Sequence, residues 1–269
     1  MIIKNLLTTL CFCITLANSA FAGKNCEESN LLKEDIVLQA SNASQLLIDS
    51  ANLMSPDGSK VFLIGRMGQN LDEYHLKYSH GAFLFKNNGN WEVFHELNDC
   101  ASDKSNIFNE GILNFFLDDL YKYNSIIISF DSDTNTKIKE VLFDKTSIKE
   151  AHNPHYNLLS YPFNAKYQNS NGWLLEIIAR AMAKKNNQEI HTHEEFISFI
   201  KNINYKPSIL NVGLFKRLGG RIFKANIAFD DQPFNERMEG HIRTYTFDGL
   251  FDFLKEQKVV SQSMEINLK

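Results

Sequence analysis

The stretch His80–Leu97, "HGAFLFKNNGNWEVFHEL", decides the architecture. Two aromatic-rich runs, His80–Phe85 and Trp91–Leu97, flank Lys86-Asn87-Asn88-Gly89-Asn90, whose Asn-Gly step suits a tight turn with positive φ. Setting Lys86 against Trp91 in an antiparallel hairpin puts His80 opposite Leu97. Alternate residues then share a face, with His80, Ala82 and Leu84 beside Leu97, His95 and Val93. That register makes His80 and His95 neighbours; a slip of one residue would separate them.

Outward from the hairpin, Leu31–Met54 carries apolar side chains at three- and four-residue spacing before Ser55-Pro56-Asp57-Gly58, which predicts one or two helices. Lys60–Gly65 predicts a buried strand, Ser105–Tyr121 a helix, Ser125–Phe130 a strand and Asn135–Phe143 a helix. Asn171–Lys185 has a broad apolar stripe and predicts a helix buried along most of its length. Thr192-His193-Glu194-Glu195 is a capping-box pattern opening a helix to Ile203. Arg243–Phe247 predicts a strand, with Asp248 capping a last helix to Gln257. The mixed order gives an α+β class, an antiparallel sheet with flanking helices. No linker or repeat divides residues 23–269, so one domain is expected.

Residues 1–22 read as a signal peptide: Lys4, an apolar run from Asn5 to Leu16, then the small-residue pattern ending Ala20-Phe21-Ala22. The apolar run is too short to span a bilayer, so the expected product is a periplasmic or secreted protein with no transmembrane segment. Cys11 and Cys13 leave with the signal peptide. Cys26 and Cys100 remain, either as one disulfide in an oxidising compartment or as two free thiols.

With 28 basic and 32 acidic residues interspersed, the surface argues against nucleic-acid or anionic-membrane partners. A 43% apolar content with 21 phenylalanines favours a packed protein. His191-Thr192-His193 and His152-Asn153-Pro154-His155 lack metal-ligand spacing, so no metal and no cofactor is assigned. Arg66–Gln69 and Arg217–Gly220 read as turns, and Asp230-Asp231 as a solvated pair.

Chemistry concentrates on Gln168-Asn169-Ser170-Asn171, just before the Asn171 helix. A papain-like site needs a nucleophile at a helix N-terminus, a histidine on an adjacent strand and a polar residue on the next strand to orient it. Ser170, His80 and His95 fit these roles, with Gln168, Asn169 and Asn171 as oxyanion or positioning amides. Phe83, Phe85 and Trp91 are candidates for a substrate groove. Serine is also among the commonest helix caps, so residues alone leave Ser170 as cap or nucleophile.

The segments Val61–Phe83, Trp91–Cys100, Asn109–Asp119, Tyr167–Glu176 and Arg217–Pro233, in that order, resemble the bacterial DUF 2145 family of exported proteins of unknown function. The resemblance implies Ser or Cys at position 170, an alternation that suits a nucleophile. It also implies Gln where this chain has Gly172 and His where it has Gln232, which weakens any role for the Asp-Asp-Gln-Pro segment. The order His80, His95, Ser170 is similar to that of circularly permuted papain-like enzymes of the NlpC type. Two functions follow as expectations. One is an envelope hydrolase or acyltransferase acting on an amide or ester of a peptide or lipid, with Ser170 as nucleophile and His80 as base. The alternative is a non-catalytic envelope binding module that retains the cleft.

Overall fold

The computed structural model describes residues 33–100, 102–118, 120–214 and 225–268. The expected signal peptide, Cys26 and the expected turn at Arg217–Gly220 lie outside the described residues. The hairpin forms as expected from strands β2 (His80–Asn87) and β3 (Asn90–Asn98), with Lys86 paired to Trp91. Asn88 and Gly89 both take positive φ, 48° and 86°, which matches the turn to the twist of the strands.

Strand β1 (Phe62–Met67) and strand β4 (Ser105–Gly111) extend the hairpin on either side. Strand β5 (Lys122–Phe130) and a C-terminal strand, Val260–Ile266, complete an antiparallel sheet. Its order is β4, β3, β2, β1, β5, then the C-terminal strand. The period of two sorts side chains between two cores. Phe62, Ile64, Ala82, Leu84, Val93 and Ile127 pack beneath helix α1 (Glu34–Met54). Leu63, Phe83, Phe85, Ile126 and Ile128 share the opposite core with the long helix Ser170–Lys185. Burial on both faces explains why β1 reads as an unbroken apolar run.

Four sequence expectations need correction. Ser105–Tyr121 is not one helix: β4 pairs with β3 along its length, and only Ile112–Phe116 turns helical, as α2. The apolar spacing of Ile107, Phe108, Ile112 and Phe115 mimics a helix, but an open edge of the sheet offers β4 a full ladder of backbone partners. Arg66 and Met67 belong to β1 rather than to a turn. Near the C-terminus the strand is His241–Thr244, paired with Ser208–Asn211 in a second, two-stranded sheet. Thr246, not Asp248, caps the helix Phe247–Glu256 by accepting from the Gly249 N–H. Asp248 instead accepts from the N–H groups of Lys77 and Tyr78 at 3.1 and 3.0 Å, tying that helix to the approach to β2.

The same helix explains two glycines. Gly65 and Gly81 are cross-strand partners, and the Phe247 ring lies so close that a Cβ on either would fall within 2.7 Å of it. The sheet is bare there so that the helix can pack onto it.

Candidate active site

Register builds the first part of the site. Arg66 pairs with His80 across β1 and β2, and Glu110 pairs with Val93 across β4 and β3. Val93 is two residues from His95, so Glu110 and His95 share a face. Four adjacent strands therefore present a row of Arg66, His80, His95 and Glu110. Phe115 of α2 walls the row, its ring centroid 6.0 Å from that of His80 and 5.9 Å from that of His95, with the Arg66 guanidinium over its face. Arg66 is further held by the Phe115 carbonyl and by Asp118 at 2.7 Å.

The nucleophile candidate arrives on the N-terminus of the helix Ser170–Lys185. Two helices precede it after β5, α3 (Ser132–Leu142) and α4 (Lys145–Ala151), which makes it α5. Asn169 is the N-cap, its side-chain oxygen accepting from the Gly172 N–H at 2.8 Å. Ser170 is the first helical residue, so its hydroxyl is not needed as a cap. That hydroxyl lies 3.2 Å from His80 Nδ1, and His80 Nε2 lies 3.0 Å from His95 Nδ1. His95 Nε2 is 3.6 Å from the Glu110 carboxylate, longer than a hydrogen bond.

Both imidazoles are held neutral. Burial drives the His80 pKa well below its ordinary value, with the Arg66 charge and His95 adding to the effect. Burial also lowers His95, opposed by Glu110, which pulls it up. Two neutral rings that share one hydrogen bond must be donor and acceptor. With His80 Nδ1 accepting from Ser170, His80 Nε2 donates to His95 Nδ1, and the His95 proton points towards Glu110.

The three amides beside Ser170 divide. Asn169 donates through Nδ2 to the carbonyls of Leu158 and Tyr245, besides capping the helix. Gln168 accepts from the Asn153 N–H and donates to the Ala151 carbonyl and Glu176. Both are therefore consumed in positioning the helix start. Asn171 differs: its side-chain oxygen is buried without a hydrogen-bond partner, and it lines a cavity of about 520 Å³. Ser170 and Tyr156 line the same cavity, with the Tyr156 phenol beside Ser170. Burial raises the pKa of that phenol, so it stays a donor at neutral pH.

The groove candidates lie elsewhere, and that expectation is corrected. Phe83 and Phe85 are buried in the core under α5, where Phe83 packs edge-on against Trp173. Trp91 packs on Phe62 and donates to Asn52 on the far face. The aromatic runs of the hairpin serve the two cores because both sheet faces are covered.

Four other histidines have polar partners. His193 Nδ1 is 2.9 Å from the buried Glu176, which also meets Arg180 at 3.0 Å. His152 meets Ser105, which donates to Glu96 at 2.6 Å, while Asn153 braces the Ser170 loop through the Ala165 carbonyl. His155 lies beside Lys104, and His191 beside Glu150 and Glu189. Asp231 is not solvated: it is buried and accepts from the Tyr161 N–H at 2.7 Å, and its pKa rises to about 6 through burial. Gln232 bridges Leu159 and Arg243 through their backbone. Among the described residues no group of three or more potential metal ligands forms, and no helix is long and apolar enough to cross a membrane.

Sequence reasoning missed Arg66, Glu110 and Tyr156. The first two become visible only when β1 and β4 are placed as the strands beside the hairpin. Tyr156 reaches Ser170 through an isolated parallel bridge between Tyr156 and Gln168, for which no local pattern exists.

No curated protein and no solved structure matches the chain. A bacterial family described as "Uncharacterized protein conserved in bacteria (DUF2145)" matches residues 53–254. That span holds the row from Arg66 to Glu110 together with Tyr156 and Ser170, and over it the chain belongs to the DUF2145 family.

Proposed function

We propose that this protein is an exported hydrolase or acyltransferase of papain-like type that attacks the carbonyl of an ester or amide with Ser170. The observation that carries this reading is the placement of the Ser170 hydroxyl against His80 Nδ1 while Asn169 performs the capping. The order His80, His95, Ser170, with the serine on a helix packed against an antiparallel sheet, supports the papain-like comparison as an analogy of arrangement.

In the first half-reaction Ser170 Oγ bonds to the carbonyl carbon as its proton passes to His80 Nδ1. Arg66 and burial disfavour a cation on His80, whereas Glu110 favours one on His95. The His80 Nε2 proton therefore moves to His95 Nδ1, and the charge settles beside Glu110. The developing oxyanion is met by the Tyr156 hydroxyl and by the start of α5, where the helix dipole favours negative charge. Collapse breaks the acyl C–O or C–N bond, and the proton returns along the histidines to the leaving group. Water, or an acceptor alcohol or amine, then attacks the acyl-serine with its proton going to His80, and Ser170 is regenerated.

The test is turnover of p-nitrophenyl acetate by purified protein. Ser170→Ala abolishes it and His80→Ala lowers kcat/KM by about 10²–10⁴-fold. Equal rates in the wild type and Ser170→Ala would refute the reading.

A further inference from the structure

We infer that the cavity at Ser170 is an acyl-chain pocket, so that the substrate class is a long-chain aliphatic ester or amide rather than a peptide; this rests on Ser170 being the nucleophile. The cavity measures about 520 Å³, within the range of small-molecule sites. Its walls among the described residues include no Asp, Glu, Lys, Arg or His. Their apolar part includes Leu71, Leu76, Leu158, Leu210, Val212 and Phe229.

Those walls coincide with a third hydrophobic cluster, formed by Leu210, Val212, Phe229 and Ile242 with Leu76 and Leu159 packed against them. This cluster surrounds open space, unlike the two cores on the sheet. Such an apolar space gains from a tail that brings no charge and needs no hydrogen bonds. Polar side chains line it as well, Gln69, Ser79, Thr244 and Thr246 besides Ser170, Tyr156 and Asn171, whose side-chain oxygen is buried without a partner. Asn171 is placed to meet an amide N–H or hydroxyl of the leaving group.

Charge is instead found across the histidine pair. A second cavity of about 210 Å³ is lined by Arg66, His95, Glu110 and Asp118. Ser170 thus faces the uncharged cavity and His95 the charged one, with His80 between them. Among the described residues a peptide with free carboxylates or amines finds no counter-charge on the Ser170 side, and burying its backbone groups there carries a cost in lost water.

The experiment is a p-nitrophenyl ester series from acetate through butyrate, octanoate and laurate to palmitate, with laurate titration of Ser170→Ala as a measurement independent of turnover. Burial of each added methylene raises kcat/KM about fourfold, the equivalent of about 0.8 kcal/mol, until the cavity is full. Val212→Trp, which fills the cavity, moves the optimum to shorter chains. A flat or falling series with acetate turnover retained and lost in Ser170→Ala would overturn the acyl pocket and leave the hydrolase standing. Laurate binding without turnover of any ester would keep the pocket and remove the nucleophile. Absence of both laurate binding and chain-length dependence would overturn the inference.

Discussion

His80 Nε2 lies 3.0 Å from His95 Nδ1, and both rings are buried. Two imidazoles at that distance cannot both be charged, and the shared proton orders the whole row from Ser170 to Glu110. His95 is therefore more than a group that orients His80, because Glu110 offsets part of the burial penalty there and its surroundings disfavour the charge less than those of His80 do.

Glu110→Gln follows directly. Glu110 raises the His95 pKa, so removing its charge lowers that pKa further. The acid limb of the kcat/KM profile should move to lower pH, and the plateau should fall by less than the about 10²–10⁴-fold cost of losing His80. A pH–rate profile of this variant that overlays the wild type would show that the proton does not travel to His95.

Ser170→Cys should keep the fold and yield a thiol of apparent pKa below the unperturbed ~8.5, because the helix N-terminus favours an anion. The pH dependence of iodoacetamide alkylation measures it. Adding His80→Ala should move the value upward. A pKa near ~8.5 that ignores His80→Ala would mean that neither group is aimed at residue 170.

Glu96 provides a stability prediction with a definite sign. It is fully buried, hydrogen-bonded by Ser105, and raised to about 8 by burial, with Glu176 adding to the rise. Between the ordinary carboxylate value and about 8 the folded state holds this proton and the unfolded state does not. Stability is therefore lost as pH rises through that window, by up to about 1.4 kcal/mol per pH unit for one proton. Urea unfolding at several pH values should show wild type losing ground to Glu96→Gln as pH increases. Parallel curves would remove Glu96 as the cause.

The hairpin was legible in the sequence because its register hangs on one Asn-Gly turn, and with it the adjacency of His80 and His95. The cap was half legible. Asn169 and Ser170 are both good capping residues, and only coordinates show Asn169 in that role, which releases the serine hydroxyl. Glu110 was hidden because the apolar spacing of β4 imitates a helix, and pairing at a sheet edge is a tertiary choice. The cavity was illegible for a related reason. Leu71, Leu158, Leu210 and Phe229 are far apart in sequence and carry no periodic signal, so aromatic residues near the histidines drew attention that belonged elsewhere.

Export and oxidation are tested together. Intact-mass measurement of the envelope fraction should give an N-terminus at Gly23, and alkylation before reduction should leave Cys26 and Cys100 unmodified. A bridge closing a loop of about 75 residues would add roughly 4 kcal/mol in the chain-entropy model. A chain still carrying Lys4, or two thiols alkylated without reduction, would contradict the respective expectation.

The central claim is that Ser170 is a nucleophile activated by His80. Its most direct measurement is labelling with a serine-directed alkyl fluorophosphonate, located by peptide mass spectrometry. One adduct is expected, on Ser170, absent in Ser170→Ala and formed far more slowly in His80→Ala. An unmodified Ser170 under conditions that label a control serine hydrolase, or a rate indifferent to His80→Ala, would contradict it.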